Sequence, residues 1–589
     1  MSTPFRTCHA GTIDDSRIGD TVTLAGWVQR RRDHGGVAFI DLRDASGLVQ
    51  IVADPAEIPT VDELRMEYCV SVTGKVRVRP AGTENPDLPT GAYEVGATAI
   101  AVLSPSEPLP FMLDERIDVD ERIRLQYRFL DLRRPSMSAN LRARSKTVAA
   151  IRGTLDVKGF LEVETPTLIR STPEGARDML VPSRLRKGTF YALPQSPQLF
   201  KQLLMIGGVE RYFQIARCYR DEDLRADRQL EFTQLDLEGS FWAEEDVQEA
   251  IEATIAAAVK AVRGVDVEVP FRRITWKESM DRFGIDKPDL RFGMEIVDLG
   301  PGLEGTEFGV FRSTLESGGV VRGINIGTRE FPRSLADALT EDAKAHGAGG
   351  LVWMVVEPDG SLRSPVAKFL SDTELQTITS RLEANVGDVC LIVADQWKTA
   401  VTALGALRNK LGRPTGHENL DFLWVTDFPM FEEEDGVITF SHHPFTSPQD
   451  LDVMRDSPEA ALSRAYDLVL NGVELGSGSV RIHDPEVQSQ VFEILGIDRE
   501  QAERRFGWFL EALRYGTPPH AGFAYGIDRL VMILQNEPSI REVIPFPKTQ
   551  TGTDPLTSSP SEVDEGQLTE LGIRLRPEIH ARGAEGEQV

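Results

Sequence analysis

The sequence predicts a multidomain α+β protein, with a small closed β-barrel at the N-terminus and a larger domain in which strands and helices mix. Three observations carry this. The chain has 589 residues, more than one hydrophobic core organises, so three or four domains are expected. Residues 21–103 hold five short strand-like runs separated by Gly, Asp and Pro. Beyond a Pro-rich connector the pattern turns to alternating helices and strands, interrupted by a Gly- and Ala-rich stretch.

The barrel strands are read as Thr21–Val28, Val37–Leu42, Leu48–Val52, Cys69–Thr73 with Lys75–Arg79, and a last one from Tyr93. Five strands in about a hundred residues suit the OB-fold, a common nucleic-acid reader of that build. The barrel domain is placed at 1–105 and a linker at 106–138, with the Pro-rich run Ser104-Pro-Ser-Glu-Pro-Leu-Pro110 spanning the boundary. A helix is expected from Ala139 to Val157. Residues 139–286 and 422–555 are read as two parts of one domain, 287–421 as an insertion within it, and 556–589 as a polar, loosely ordered extension.

Composition excludes several classes. Hydrophobic residues make up 41% and charged residues 27%, ordinary for a soluble globular protein. Cys8, Cys69, Cys218 and Cys390 lie far apart, without metal-ligand spacing, and are expected to be reduced thiols in a cytoplasmic protein. Met1 to Ala10 has no apolar core of a signal peptide, and no apolar run is long enough to cross a bilayer. The net charge of −27 points away from nucleic acid, and even residues 1–103 carry 10 Lys+Arg against 14 Asp+Glu. A nucleic-acid partner must therefore rest on local features.

Three local features carry chemistry. Arg217-Cys-Tyr-Arg-Asp-Glu-Asp223, followed by Arg228-Gln-Leu-Glu-Phe-Thr-Gln-Leu-Asp236, reads as a hairpin with a charged loop. Arginine gives a planar, permanently charged fork for phosphate oxygens, and Phe232 offers an aromatic face for a base. Gly522-Phe-Ala-Tyr-Gly-Ile-Asp-Arg529 leads into an apolar helix and allows close backbone approach. Gly159-Phe-Leu-Glu-Val-Glu-Thr-Pro166 runs a helix into an extended segment fixed by proline. Each alone is weak: a surface hairpin, a Gly-rich turn, an edge strand.

Together and in this order they resemble the three signature motifs of the class II aminoacyl-tRNA synthetases, with Pro166, Arg220-Asp-Glu222 and Arg529 as their marker residues. The resemblance implies an antiparallel catalytic sheet, bent ATP, and a homodimer with the first motif at the interface. It further implies Arg220, Glu222 and Arg529 as catalytic residues, and Arg220, Asp221, Glu222, Gln229, Phe232, Glu474, Gly526, Ile527, Asp528 and Arg529 as the ATP site. In that scheme Arg220 holds the α-phosphate and Phe232 and Arg529 sandwich the adenine. Asp467 and Glu474 are implied as Mg²⁺ ligands, hard oxygen donors suiting that ion.

Four stretches around Glu174, Lys201, His442 and Arg481 resemble the bacterial aspartyl branch of the family. A short anionic substrate side chain needs fixed cations. The resemblance implies Lys201 and Arg481 as a clamp on the L-aspartate β-carboxylate, Asp236 holding Lys201, and Glu174, Ser196 and Gln198 at the amino end, with Arg220 nearby. One of His442 and His443 approaches the substrate, and His442 is favoured. Ser477 stands where many relatives have Gly. The Asp286-Lys-Pro-Asp-Leu-Arg291 segment marks the bacterial insertion, with no role readable from sequence.

In the barrel, Gly26-Trp-Val-Gln-Arg-Arg-Arg-Asp-His-Gly-Gly-Val-Ala-Phe39 ends a basic strand with an aromatic. It resembles the anticodon-binding barrel of aspartyl, asparaginyl and lysyl enzymes, in which Phe39 stacks a base while Gln50 and Glu94 read base edges; the alternative is that Phe39 packs inside the barrel. His34 and the loop around Gly82 resemble the non-discriminating group, which charges both tRNA(Asp) and tRNA(Asn) and implies a downstream amidotransferase. The competing readings are a strictly tRNA(Asp)-specific enzyme, a lysyl or asparaginyl synthetase, an inactive tRNA-binding paralogue and an adenylate-forming amide synthetase. A lysyl enzyme needs an anionic pocket, which Lys201 and Arg481 contradict.

Overall fold

The computed structural model describes residues 3–171, 176–434 and 436–576, which fall into two compact units divided between Ser138 and Ala139. In the first unit, strands Thr21–His34, Val37–Asp44, Gly47–Ala53, Tyr93–Ser104 and Cys69–Val78 close, in that spatial order, into a barrel. Alternation builds it: Val22, Leu24, Ala38, Ile40, Leu42 and Ile51 point inward and are buried. The first strand outruns its expected end at Val28 and continues through the arginines to His34. Gly35 and Gly36, at φ 60° and 84°, close the tight turn into the next strand, a geometry that two glycines favour.

The 106–138 stretch is ordered rather than a bare linker. It holds helices Glu121–Gln126 and Arg128–Asp131. Asp131, fully buried, receives Arg124 at 2.9 Å and Arg128 at 2.6 Å, so charges in this stretch pair with one another. The helix expected from Ala139 begins at Pro135, a residue suited to the first helical position.

The second unit is built on an eight-stranded sheet. Its spatial order is Arg272–Thr275, Phe422–Thr426, Ala465–Leu470, Val473–Val480, His520–Gly526, Glu231–Ser240, Arg211–Tyr219 and Leu161–Glu162. The central strands are antiparallel, and both edge pairs are parallel. One face is apolar: Leu235, Leu237, Leu468, Phe523 and Tyr525 pack on helices Glu244–Arg263 and Ile527–Leu534. With a side-chain period of two, the intervening residues face the other way, and these carry the site.

The insertion forms a five-stranded sheet, ordered Val297–Asp298, Val320–Thr328, Asp388–Asp395, Val352–Val356 and Leu362–Arg363. Apolar clusters lie on its two faces. The chain leaves after helix Trp276–Phe283 and returns at Phe422–Thr426, the strand beside Arg272–Thr275. The C-terminal extension is not wholly irregular: Glu565–Leu571 is a helix ended by Gly572 at φ 71°. Among the described residues no helix is long and apolar enough to cross a membrane.

Candidate active site

The polar face of the large sheet lines a cavity of about 670 Å³. Three neighbouring strands build much of it. Glu231–Ser240 contributes Gln234 and Asp236, Val473–Val480 contributes Ser477 and Ser479, and His520–Gly526 contributes Ala524 and Gly526. Glu474 lies three residues before Ser477, so plain alternation would turn it to the opposite face. A register shift opposite Leu468 and Val469 re-aims the strand, and both residues line the cavity.

At one end two buried cations stand together. Lys201 Nζ lies 2.7 Å from Asp236 Oδ1 and 3.2 Å from Glu238 Oε2. Arg481 Nε donates to Glu238 Oε1 at 2.9 Å, and its Nη1 donates to Ser479 Oγ at 2.6 Å. Glu238 therefore ties both cations, a residue the sequence reading missed although it sits two positions from Asp236 on the same strand face. Burial opposes charge on every member. The two cations overcome it at Glu238, whose carboxyl is pulled down to about 2. At Asp236 burial wins over Lys201 and the carboxyl is pushed up. Gln198 lines the same end, and its buried Nε2 has no hydrogen-bond partner among the described residues.

The two adjacent histidines separate cleanly. His442 Nε2 is 3.1 Å from Asp467 Oδ1, and its ring meets Phe428 edge-on at 4.4 Å. Burial lowers its affinity for a proton, but Asp467 outweighs that and raises it. His443 feels the positive charge of Arg481 and Lys201, and burial together with those cations depresses it to about 3. Its Nδ1 accepts from Phe445 N at 3.4 Å, while its buried Nε2 has no partner among the described residues. Both histidines line the cavity, His442 bonded to Asp467 and His443 under the influence of Arg481 and Lys201.

The other end is arginine-rich. Arg220 lies over the Phe232 ring at 5.0 Å. Arg529 donates to the Glu474 carbonyl at 2.9 Å and is 3.3 Å from Asp227 Oδ2. Glu222 is 3.3 Å from Arg228, and Asp221, also on the wall, donates its N–H to the Arg177 carbonyl at 3.1 Å.

Some expected contacts take other forms. Gln229 lines the cavity, but its amide oxygen accepts from Lys548 N at 2.9 Å and its NH₂ donates to the Lys548 carbonyl at 3.1 Å. It fastens a loop instead of presenting a free amide. Asp528 accepts from Thr233 N at 2.7 Å and pairs with Arg144, so it braces the motif. The Ile527 side chain is fully buried in the core and leaves only backbone to the site. Glu174 lies outside the described residues, but the segment just beyond it is anchored: Gln195 bonds both N–H and C=O of Ala176, at 3.2 and 2.8 Å.

Asp467 and Glu474 come from the two strands of one hairpin. Asp467 is buried, with Ser477 and His442 as hydrogen-bond partners that favour its charged form against the burial that raises it. Among the described residues no three His, Cys, Asp or Glu side chains form a complete protein-only metal cage. Glu474 on the cavity wall, with buried Asp467 on the neighbouring strand, is a hard-oxygen pair that fits magnesium, which keeps water and substrate oxygens in its shell.

On the barrel, Phe39 points away from the interior and is half-buried, which answers the alternative of core packing. It pairs across the sheet with Arg32 and Val52. Gln50 Nε2 donates to Glu94 Oε2 at 2.9 Å, and Arg77 Nε donates to Glu94 Oε1 at 2.8 Å. His34 and Gly82 are exposed, on the first hairpin and on a loop respectively.

Comparison with known proteins agrees with this geometry. Residues 120–550 match the family described as tRNA synthetases class II (D, K and N), and residues 22–103 match the OB-fold nucleic acid binding domain. A protein of Moorella thermoacetica named Aspartate--tRNA(Asp/Asn) ligase is 52% identical, covering 97% of this chain and 96% of its own. One of Syntrophomonas wolfei with the same name is 50% identical, covering 97% and 99%. Among solved structures, asparaginyl-tRNA synthetase from Pyrococcus horikoshii, complexed with asparaginyl-adenylate, superposes with a TM-score of 0.58. It is 19% identical and covers 92% of this chain and 98% of its own. With a full-length relative at half identity and the family matched across the entire polar-faced sheet, the chain belongs to the class II tRNA synthetases of the D, K and N group.

Proposed function

We propose that this chain joins L-aspartate to ATP as aspartyl-adenylate and transfers the aspartyl group to both tRNA(Asp) and tRNA(Asn). The observation that carries the amino acid is the Lys201–Glu238–Arg481 group, two buried cations on one carboxylate opening into the nucleotide cavity. The names of the full-length relatives support the same substrate and the double tRNA range.

In this reading the β-carboxylate of aspartate meets Lys201 and Arg481, with His443 donating from Nε2. Ser196 and Gln198, together with Glu174, serve the amino group. Arg220 holds the α-phosphate, and the adenine lies between Phe232 and Arg529. The substrate α-carboxylate is ionised at neutral pH and attacks the α-phosphorus with no enzymic base. Fixed arginines offset the charge that spreads over the phosphate, and position does the rest. Asp467 and Glu474 would hold Mg²⁺, which supplies charge compensation to the triphosphate when bound. Pyrophosphate leaves; the terminal ribose hydroxyl of the tRNA then attacks the aspartyl carbonyl, loses its proton and displaces AMP as the acyl–phosphate bond breaks.

The barrel face of Phe39, Gln50 and Glu94 reads the anticodon, with His34 and Gly82 permitting the second tRNA. Dual charging implies an amidotransferase acting on the misacylated product. A homodimer through the first motif and a cytoplasmic setting complete the proposal.

Pyrophosphate exchange with aspartate, asparagine and lysine tests the substrate: aspartate alone should support it. Charging of purified tRNA(Asp) and tRNA(Asn) tests the range. His34→Leu should lower tRNA(Asn) charging severalfold against tRNA(Asp), and equal charging by that variant removes His34 from the argument.

A further inference from the structure

The Asp286-Lys-Pro-Asp-Leu-Arg291 segment, where the insertion begins, reaches the acidic hairpin of the site. Lys287 Nζ lies 3.4 Å from Glu474 Oε2 and 3.7 Å from Asp286 Oδ1. This lysine is not on a free surface loop. Two residues on, buried Asp289 receives Arg291 at 2.6 and 2.9 Å and lies 3.6 Å from Arg413 Nε. Arg413, from the returning end of the insertion, donates to the Asn471 carbonyl at 3.0 Å. Asn471 and Gly472, at φ 52° and 75°, form the turn between the strand carrying Asp467 and the strand carrying Glu474. A Cβ added at Gly472 would stand 2.9 Å from the Asp289 Cβ. The stem of the insertion and the turn of the hairpin are locked together, which sets the backbone of Lys287 beside Glu474.

We propose that Lys287 is a built-in counter-cation of Glu474 that weakens divalent-metal binding in the free enzyme, so that metal and nucleotide load together. The proposal rests on the reading of Asp467 and Glu474 as the metal-holding pair. An ammonium is a compact charge with three donors. A divalent ion at the same carboxylate must displace it or bear its repulsion. A unit charge and a double charge about 6 Å apart in a water-like dielectric repel enough for roughly a tenfold loss of affinity. The triphosphate brings several negative charges and removes that handicap.

Electron paramagnetic resonance of free Mn²⁺, titrated into the full-length protein without nucleotide, reads the effect directly. Lys287→Gln is expected to tighten Mn²⁺ binding about tenfold, and Lys287→Arg to stay within about twofold of wild type. The difference between Lys287→Gln and wild type should shrink when the β,γ-methylene analogue of ATP is present. Unchanged affinity in Lys287→Gln, or an equal shift in Lys287→Arg, overturns the proposal. Asp467→Asn and Glu474→Gln are titrated in parallel. If neither weakens Mn²⁺ binding, the metal-site reading itself fails; if they weaken it while Lys287→Gln changes nothing, only the counter-cation inference fails.

Discussion

At the scale of single residues, the site is an arrangement of buried charge in which removing one partner strands another. Glu238 makes this testable. Glu238→Gln keeps the shape but takes away the carboxylate shared by Lys201 and Arg481, and breaking a buried pair costs about 3–5 kcal/mol. The KM for aspartate in pyrophosphate exchange should rise at least about tenfold while that for ATP stays within about twofold; equal rises would locate the defect in the whole domain instead. His443 gives a pH signature. Its ring is held neutral down to about 3, against 6.5 when unfolded. Between those values the unfolded chain binds the extra proton, so the stability from the neutral ring is complete above about pH 6.5 and drains away as pH falls. The thermal midpoint should fall more steeply between about pH 7 and 5 in wild type than in His443→Gln, and identical slopes would exclude the buried ring as the cause. Lys201 and Arg481 were legible in the sequence because family-like segments frame them. Glu238 was not, because nothing in a strand's sequence tells which alternate residues face a cavity and which face a second charge.

At the scale of elements, the hairpin carrying Asp467 and Glu474 shows where reading a sequence stops. The barrel strand Val37–Asp44 was legible because Ala38, Ile40 and Leu42 recur at every second position without interruption. The hairpin breaks alternation by one register shift, and a bulge has no reliable mark in one sequence. The adjacent histidines are of the same kind: His442 bonds Asp467 while His443 accepts from Phe445 N, a difference that only the backbone path resolves. The turn is also closely packed. Gly472→Ala combines a left-handed φ of 75° with a Cβ 2.9 Å from Asp289, and such strain costs of the order of 1–3 kcal/mol. We expect a lowered thermal midpoint and slower pyrophosphate exchange, with barrel-dependent tRNA binding retained. Full exchange activity in that variant would show that the hairpin tolerates movement at its turn.

At the scale of the whole molecule, the large sheet ends at a short edge strand, Leu161–Glu162, with Leu161 56% and nearby Val157 87% exposed. Uncovered apolar groups beside an open edge are a liability unless something covers them, and a second copy docking through the first motif would do so. Leu161→Asp is therefore expected to shift sedimentation from dimer toward monomer; a wild type that sediments as a monomer would sink the dimer proposal outright. Negative charge summed over the molecule misleads about the partner, because −27 says nothing of the single barrel face where arginines and one aromatic sit. The layout of the insertion carries one more consequence. Its polypeptide departs and comes back through a single doorway beside two neighbouring strands, with Arg408 Nη2 donating to the Asp289 carbonyl at 2.9 Å across the threshold. What lies beyond that threshold is no loose annex: Trp397 Nε1 donates to Asp281 at 2.8 Å, and Val401 and Leu404 pack with Met280, so the last helix of the insertion, Trp397–Gly412, doubles as a brace for the helix that leads into it.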